Sequence, residues 1–392
     1  MSPLPERFTL LQVVPRLDIG GAEQTTLDVA AAVVRAGGRA IVASAGGRMT
    51  AALIASGAEF VAMPVDSKNP MVMAANGKAL AKLIRQEHVS IVHVRSRAPA
   101  FSALWAARRT ATPVLATYHG AYKAKSALKR WYNGVITRGD MVIANSHFTR
   151  EHLMAQHAVD PAKVVVIARG VDLTRFDPAR VAPERVTALR ERWGLKPGDA
   201  RVKLLLAGRL TRWKGQLLAI EALARLRERG QANGVLILVG DSQGRDGYVA
   251  ELEAAIARHG LGGQVLLPGP CEDMPAAYLA ADIALAPSLE PEAFGRTAVE
   301  PQLMGRLAIA ADHGAARETI LPGQTGWLAA PGDAEAWATA IGDAIAAGPE
   351  RRAAMGVEAL ARARALYAVQ VMTDATLEVY SAMLAERGPS PR

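Results

Sequence analysis

Two glutamates eight residues apart, Glu292 and Glu300, stand in the segment PEAFGRTAVE, which follows a short apolar run and enters a helical pattern. Phe294-Gly295 marks the turn into that helix, so the amides of Arg296 and Thr297 are predicted at its N-terminus, where phosphate or sugar oxygens bind. Carboxylates in such a loop and one turn into the helix can accept hydrogen bonds from vicinal hydroxyls. The pattern indicates a site for a ligand that carries both hydroxyls and phosphate.

Two cations upstream fit the same ligand. In LLLAGRLTRWKGQ, Arg209 and Lys214 follow a predicted strand that ends at Ala207. Arginine suits bidentate phosphate contact and lysine acts as a point charge, so the pair could hold a diphosphate and stabilise its departure. The pattern alone equally suits two solvated surface cations, although Trp213 between them is unusual for a plain surface turn.

A glycine pair, Gly20-Gly21, opens the first predicted helix directly after the first strand. Glycines there allow backbone N–H groups and the positive helix end to approach a phosphate. The pair is not part of a G-x-G-x-x-G or Walker motif, and by itself it is also typical of a tight turn.

These residues need elements that bring them together, and the chain alternates short β-rich runs with helical stretches. The first half has predicted strands at Phe8–Val14, Ala40–Ser44, Phe60–Met63, Ile91–Val94, Val114–Thr117, Met141–Ala144 and Val164–Ile167. The rhythm restarts after a Pro- and Gly-containing stretch, with strands at Lys203–Ala207, Gly234–Val239, Gln264–Leu267, Ile283–Pro287 and Leu307–Ala310. This pattern predicts an α/β protein made of two mostly parallel sheets.

We therefore expect an N-terminal domain over residues 1–178, a linker over 179–199 and a C-terminal domain over 200–368, with a last helix at about 369–386 that packs back on the first domain. Ligands of open α/β sheets bind beyond the carboxyl ends of the strands. Two such domains facing each other across a cleft would share one site.

Composition limits the alternatives. The 392 residues include a single cysteine, Cys271, so no internal disulfide forms and an oxidising compartment is not indicated. No apolar run reaches the roughly 18–20 residues that span a bilayer, and no secretory leader is recognisable. The sequence therefore predicts a cytoplasmic protein. There is no Asp-x-Asp triplet, which argues against a site in which a metal ion bridges protein carboxylates and a diphosphate.

Positive charge is concentrated in the first half. Residues 1–180 hold 23 Lys and Arg against 12 Asp and Glu. This imbalance predicts an anionic partner, such as a phosphorylated glycan, an acidic membrane or nucleic acid. Cations stand beside Tyr122, Trp131 and Tyr132, an arrangement that suits a membrane surface or a lipid-linked glycan, although a solvated helix face would look the same. The candidate residues for contact with an anionic acceptor molecule or a membrane are Arg95, Arg97, Lys123, Lys125, Lys129 and Arg130.

Several motifs in order give the chain a resemblance to the family-4 glycosyltransferases, which are retaining enzymes with the GT-B fold of two Rossmann-like domains. The motifs are GGAE (20–23), TYHG (117–120), ANS (144–146), RGVD (169–172), GRLTRWKG (208–215), LVGD (238–241), PEAFGRTAVE (291–300) and GQTG (323–326). The resemblance covers essentially the full chain, and the two spaced glutamates with the upstream Arg/Lys pair are its most specific part.

The resemblance implies roles for single residues. Glu292 is similar to the glutamate that holds hydroxyls of the transferred sugar, and Glu300 to the one that holds the donor ribose. Arg209 and Lys214 resemble the pair that grips the diphosphate, and His119 the histidine near the reaction centre. Further donor-binding positions implied by the family are Gly20, Gly21, Pro270, Cys271, Phe294, Gly295, Arg296 and Thr297.

This sequence departs from the family pattern at three points. The usual Asn-Gly-Val-Asp begins here with Arg169, which adds a cation to the candidate acceptor residues. The usual Glu-Pro-Phe-Gly has Ala293 in place of proline. The common Gly-Gly after the next strand reads Asp312-His313-Gly314, so sugar contacts there differ.

The sequence as a whole predicts a metal-independent, retaining transfer of sugar from a nucleotide-sugar, with UDP favoured and GDP as the alternative, to a glycan or lipid-linked acceptor of envelope polysaccharide, lipopolysaccharide or glycolipid synthesis. No cofactor is expected, and the protein could lie at the inner face of the plasma membrane. A sugar-nucleotide epimerase or phosphorylase on the same fold is the main alternative. A basic nucleic-acid-binding protein is a further one, disfavoured because no reader motif is recognisable.

Overall fold

The computed structural model describes residues 4–18, 20–122, 124–231 and 233–386. The chain forms two compact units. One holds the described residues up to Gly170 together with those from Val369 onward, and the other spans Val171–Ala368. Each unit is a parallel α/β sheet, as the alternating pattern predicted.

The first unit has seven parallel strands in the order β3-β2-β1-β4-β5-β6-β7. The strands are β1 Thr9–Val13, β2 Arg39–Ser44, β3 Glu59–Ala62, β4 Ile91–Val94, β5 Val114–Tyr118, β6 Met141–Ala144 and β7 Val164–Val166. The helices between them are α1 Gly21–Arg35, α2 Thr50–Ala55, α3 Pro70–Gln86, α4 Arg97–Thr110, α5 Ala127–Asn133 and α6 His147–Gln156. The β1, β4 and β5 side chains are all buried, which is why these strands are nearly continuous apolar runs.

The second unit has six parallel strands in the order β10-β9-β8-β11-β12-β13. These strands are β8 Val202–Ala207, β9 Gly234–Val239, β10 Val265–Gly269, β11 Ile283–Ala286, β12 Leu307–Ala311 and β13 Gly326–Ala329. Its helices are α7 Pro183–Arg192, α8 Gln216–Glu228, α9 Asp246–Arg258, α10 Met274–Ala280, α11 Arg296–Leu303, α12 Ala316–Thr319, α13 Ala334–Ala346 and α14 Gly348–Tyr367. The sequence did not predict β13, whose residues GWLA include no β-branched side chain.

The predicted linker at 179–199 is wrong, because this stretch is part of the second unit. Helix α7 packs against α10, and Leu189 and Trp193 are each only 5% exposed. Arg185 bonds to both carboxylate oxygens of Asp273, at 2.7 and 2.9 Å. Pro183 marks the first turn of this helix rather than a domain boundary.

The last helix, α15 Val369–Ala385, belongs to the first unit. Its Met372, Leu377 and Tyr380 lie in the same buried apolar cluster as Phe8 and Leu27. The chain therefore passes between the units twice, after Gly170 and after Ala368.

Both sheets share one arrangement: the chain starts in the middle, proceeds to one edge and then returns to build the other side. The order reverses between β1 and β4 in the first unit and between β8 and β11 in the second. Loops that leave the carboxyl ends of such neighbouring strands separate in opposite directions and open a crevice, which is where open α/β sheets bind ligands.

Candidate active site

The crevice of the second unit is lined by the two segments that the sequence singled out. The loop after β8 carries Arg209 and Lys214, and the loop after β11 carries Glu292 before α11 begins at Arg296. Because β8 and β11 are hydrogen-bonded neighbours, the fold brings together residues that lie about 80 positions apart.

Lys214 and Glu292 form an ion pair at the centre of this crevice. The Lys214 Nζ lies 2.7 Å from Glu292 Oε1, and the two side chains are 13% and 21% exposed. The hydroxyl of Ser288 donates a hydrogen bond to the same carboxylate oxygen. The Lys214 ammonium also lies 4.4 Å from the centre of the Trp213 ring, a cation–π contact. Trp213 thus has a defined place in the site, and the sequence had marked it only as unusual.

The loop that carries Glu292 is fixed by the segment after β12. The carbonyl of Glu292 accepts a hydrogen bond from the Ala315 amide at 3.0 Å. Gly314 has a φ of +61°, and an added Cβ there would stand 2.7 Å from the Glu292 carbonyl oxygen. His313 Nε2 donates to the Ser288 carbonyl at 2.8 Å. Ser288 and His313 are therefore site residues that the sequence analysis did not assign.

Glu300 lies one turn into α11 and is 7% exposed. Its Oε2 accepts from the Tyr278 hydroxyl at 3.0 Å and its Oε1 from Arg296 Nε at 2.8 Å. Burial and the negative charge of Glu300 raise the pKa of Tyr278 well above its usual value, so the phenol remains a donor. Tyr278 is a further residue that the sequence did not identify, since it comes from the buried face of α10.

The other residues that the sequence predicted for binding of the sugar donor do not all line one pocket. Arg209 is exposed, and Thr297 and Gly295 line a small pocket together with Glu292 and His313. The Phe294 ring does not line it, because it is 4% exposed and packs edge-on against Tyr367 with 5.5 Å between ring centres. Only the backbone of Phe294 can face a ligand.

Pro270 and Cys271 follow β10, which is the edge strand and is separated from β8 by β9. Pro270 is exposed and Cys271 half-buried. Burial raises the pKa of the Cys271 thiol.

The first unit has its own crevice residues after β1, β4, β5 and β7. Gly20 and Gly21 begin α1, and His119 directly follows β5. Arg169, from the segment after β7, donates from Nη2 to the His119 carbonyl at 3.1 Å and to its Nδ1 at 3.3 Å. Burial, with the nearby charges of Arg169 and Arg95, lowers the pKa of His119 well below its usual value.

Arg95 is not a surface residue, so the prediction that it meets an acceptor or membrane directly is wrong. It is 2% exposed, and its Nε and Nη2 donate to Gln12 Oε1 at 2.9 and 2.6 Å. Its Nη1 donates to Thr117 Oγ1 at 3.3 Å. Burial lowers the pKa of Arg95 to about 10, so it stays charged at neutral pH.

Arg97 is half-buried and also has local partners. Its guanidinium stacks 3.8 Å from the centre of the Tyr122 ring and donates to Asn133 Oδ1 at 2.6 Å.

The remaining basic residues are at the surface. Lys125, Lys129 and Arg130 are exposed, whereas Lys123 lies outside the described residues. Leu128 is 75% exposed and Trp131 53% exposed, next to these cations.

Trp131 stacks with Arg138 at 4.9 Å and lies 5.4 Å from Phe101 of α4. Trp105 of the same helix is 39% exposed and stacks with Arg109 at 4.6 Å. We call this patch the aromatic–basic surface; it consists of Trp105, Arg109, Leu128, Lys129, Trp131 and Arg138.

In the residues that the structure describes, two kinds of feature are absent. No helix there is long and apolar enough to cross a membrane. Within the same residues, His, Cys, Asp and Glu side chains form no group of three or more that could hold a metal ion.

Comparisons with known proteins agree with this architecture. Residues 19–175 match the family model Glycosyltransferase Family 4, and residues 189–362 match Glycosyl transferases group 1. A glycosyltransferase from Rickettsia africae ESF-5 is 33% identical and its crystal structure gives a TM-score of 0.88 over 97% of this chain and 99% of that one. Two Rossmann-like units of this kind define the GT-B fold, and the chain belongs to the family-4 glycosyltransferases.

Two further relatives bear on substrates. Alr3699/HepE of Anabaena, crystallised with UDP, is 25% identical with a TM-score of 0.81 over 96% of this chain and all of that one. The D-inositol 3-phosphate glycosyltransferase of Xylanimonas cellulosilytica is 34% identical over 63% of this chain. The matched region spans 58% of that relative's length.

Proposed function

We propose that this protein is a retaining, metal-independent glycosyltransferase that moves a sugar from a nucleotide-sugar to an anionic acceptor. The observation that carries the proposal is the Lys214–Glu292 ion pair beside the start of α11, in the crevice between β8 and β11. It combines a cation for phosphate with a carboxylate for hydroxyls at the place where such sheets bind nucleotides.

Each part of a bound nucleotide-sugar then has a partner in the protein. Glu292 accepts hydrogen bonds from sugar hydroxyls, and Glu300 from the ribose, since Arg296 and Tyr278 keep that carboxylate oriented. Arg209 and Lys214 hold the diphosphate together with the amides at the start of α11. Lysine has three N–H donors, so Lys214 can keep Glu292 in place and still donate to a phosphate oxygen.

The chemistry is electrostatic in this proposal. The bond between the sugar carbon and the diphosphate oxygen breaks, the acceptor oxygen bonds to the same face of that carbon, and the acceptor proton passes to the departing diphosphate. Arg209 and Lys214 stabilise the charge that develops on the leaving group. Both crevice glutamates of the second unit are engaged by cations and hydroxyls, which favours this route over attack by a protein carboxylate.

UDP is the favoured nucleotide because the Anabaena relative was crystallised with UDP, and GDP is the alternative. A phosphorylated acceptor is favoured by the excess of cations in residues 1–180 and by the similarity to an inositol 3-phosphate glycosyltransferase. We propose a phosphorylated glycan or a lipid-linked glycan of envelope polysaccharide, lipopolysaccharide or glycolipid synthesis.

The aromatic–basic surface supports contact with an anionic membrane at the inner face of the plasma membrane. Exposed Trp and Leu side chains enter the headgroup region, and the flanking Lys and Arg bind acidic lipids, each contributing about 1 kcal/mol.

A thermal-shift screen against UDP-, GDP- and ADP-sugars tests the donor assignment. We expect stabilisation by a UDP-sugar that is lost in Lys214→Ala and Glu300→Ala. If no nucleotide-sugar stabilised the protein and both variants kept full activity, the assignment would be wrong. Release of free nucleoside diphosphate only when acceptor is present separates transfer from epimerisation.

A further inference from the structure

Arg169 stands where the family motif has asparagine, and its guanidinium occupies a specific place. It approaches the backbone of α1 so closely that a Cβ added to Gly21 would lie 2.2 Å from its Nη1. The same guanidinium reaches His119, where Nη2 lies 3.1 Å from the carbonyl oxygen and 3.3 Å from Nδ1. The absence of a side chain at Gly21 is therefore what allows Arg169 to reach the histidine.

The contact determines which nitrogen of His119 carries the proton. A guanidinium has five N–H donors and no acceptor, so Nδ1 must accept with its lone pair. The ring is neutral with one proton, and that proton is then on Nε2. Within the described part of the chain, His119 Nε2 is buried and has no hydrogen-bond partner. A buried N–H without a partner is rare and calls for a specific explanation.

The charged groups around the His119 ring also favour its neutral form. Arg95, after β4, and Arg169, after β7, both face His119, while Asp28 and Tyr380 face Arg95. His93 on β4 is itself kept neutral by burial and by the charge of Arg95. A second proton on His119 would be buried and would meet two cations, so burial first and the two arginines second lower the pKa of His119 well below its usual value.

We propose that Arg169 is a positioning residue, which holds His119 as the neutral tautomer protonated on Nε2 so that this N–H donates to an oxygen of the bound substrate. The identity of that oxygen rests on the proposed function; the tautomer does not. Arginine in place of the family's asparagine thus keeps Nε2 as the protonated nitrogen of the neutral His119 ring.

The tautomer can be measured directly in the unliganded, full-length protein. With ¹⁵N-labelled histidine, long-range ¹H–¹⁵N spectra distinguish protonated from bare ring nitrogens, and the signals of His119 are those absent from His119→Asn. We expect a protonated Nε2 and a bare Nδ1, unchanged between pH 8 and pH 6. A proton on Nδ1, or a doubly protonated ring in that range, would overturn the proposal whether or not the protein transfers sugar.

Three variants separate positioning from a general structural role. Arg169→Met should give a mixture of tautomers, because no obligate donor then faces Nδ1, whereas Arg169→Lys should retain the wild-type spectrum. Gly21→Ala displaces the guanidinium while leaving Arg169 in the sequence, and should reproduce the spectrum of Arg169→Met. Arg35→Met, which removes an exposed cation from the end of α1, is the control. Wild-type His119 signals in both Arg169→Met and Gly21→Ala would refute the role of Arg169.

Activity gives a second, independent measure. For Arg169→Met we expect kcat to fall roughly tenfold, as for a lost hydrogen bond, because Nε2 is no longer held as the donor. Arg169→Lys should retain most of the wild-type kcat, since an ammonium also only donates to Nδ1. An equal loss of kcat in Arg169→Lys and Arg169→Met would contradict the positioning role.

Discussion

The two crevices share one topology but hold their cations differently. In the second unit Lys214 and Arg296 each bond to a carboxylate, Glu292 and Glu300. In the first unit Arg95 bonds to amide and hydroxyl oxygens, and Arg169 to a histidine. Paired charges fix oriented carboxylates for the hydroxyls of a ligand, whereas cations that bond to neutral groups leave positive potential for an anion.

This difference fits a division in which the second unit holds the donor and the first attracts a phosphorylated acceptor. It also predicts that substitutions in the two crevices have different effects. Removing a cation from the second crevice should affect transfer of the sugar. Changes in the first should alter stability, pH dependence or association with anions.

The largest effect is expected for Lys214→Met, which removes the leaving-group cation and leaves Glu292 without its ion-pair partner. We expect kcat to fall about 10²–10³-fold, as for other losses of a group that stabilises developing charge. Steady-state kinetics with the donor from the thermal-shift screen measure this, and Lys196→Met, an exposed lysine after α7, is the matched control. A loss below tenfold would mean that the cation does not serve the leaving group.

Acid stability tests the first crevice. Burial and the charge of Arg95 lower the pKa of His93 well below 6.5, and the ring lies 2.6 Å from the Tyr380 hydroxyl and 2.7 Å from Thr117 Oγ1. The unfolded chain binds a proton at this histidine below about pH 6.5 while the folded one does not, so its contribution to stability is lost as the pH falls. The slope is at most about 1.4 kcal/mol per pH unit. His93→Gln should flatten the melting temperature between pH 6.5 and 5; an unchanged curve would contradict the burial of a neutral His93.

The sequence predicted the parallel sheets and the loops after β8 and β11 because both depend on local signals. Buried parallel strands are continuous apolar runs, and Arg209, Lys214 and Glu292 lie in the loops that follow such strands, at the edge of the sheet where these folds bind ligands. Position relative to a strand was therefore enough to single out these loops, although it did not show which of their side chains are buried.

What the sequence missed depends on contacts between distant segments. In the sequence, Arg95 cannot be distinguished from a free surface cation. The side chain that accepts its hydrogen bonds, Gln12, lies 83 residues earlier. Tyr278 lies on a short helix, and nothing in its neighbourhood of the sequence marks it as the partner of Glu300. The linker was misplaced because Pro and Gly mark helix ends and domain boundaries alike, and only burial of Leu189 and Trp193 distinguishes them.

Tyr278→Phe tests how Glu300 is held in the second crevice, because it removes one hydroxyl and keeps the ring in its buried place. Glu300 loses a hydrogen bond to its Oε2 but keeps Arg296 on Oε1. We expect the donor KM to rise roughly tenfold with little change in kcat, since a hydrogen bond to a charged group is worth about 1.5–3 kcal/mol and the remaining bond retains part of the orientation. Tyr248→Phe, which removes a hydroxyl that donates to Gln216, is the control. A fall in kcat alone would place Glu300 at the reacting carbon rather than at the ribose.

The smallest effect is expected at the aromatic–basic surface. Lys129→Gln removes one exposed cation, worth about 1 kcal/mol near an anionic bilayer, so binding to phosphatidylglycerol vesicles should weaken about fivefold in a sedimentation assay. Trp131→Ala should weaken binding at high salt as well, because insertion of its ring does not depend on charge, whereas the loss in Lys129→Gln should shrink as salt screens the surface. Lys196→Gln removes an exposed cation from the second unit and should leave binding unchanged. Equal binding to neutral phosphatidylcholine vesicles, or equal loss in Lys196→Gln, would show that the anion-attracting character of the first unit serves a soluble acceptor instead of a membrane.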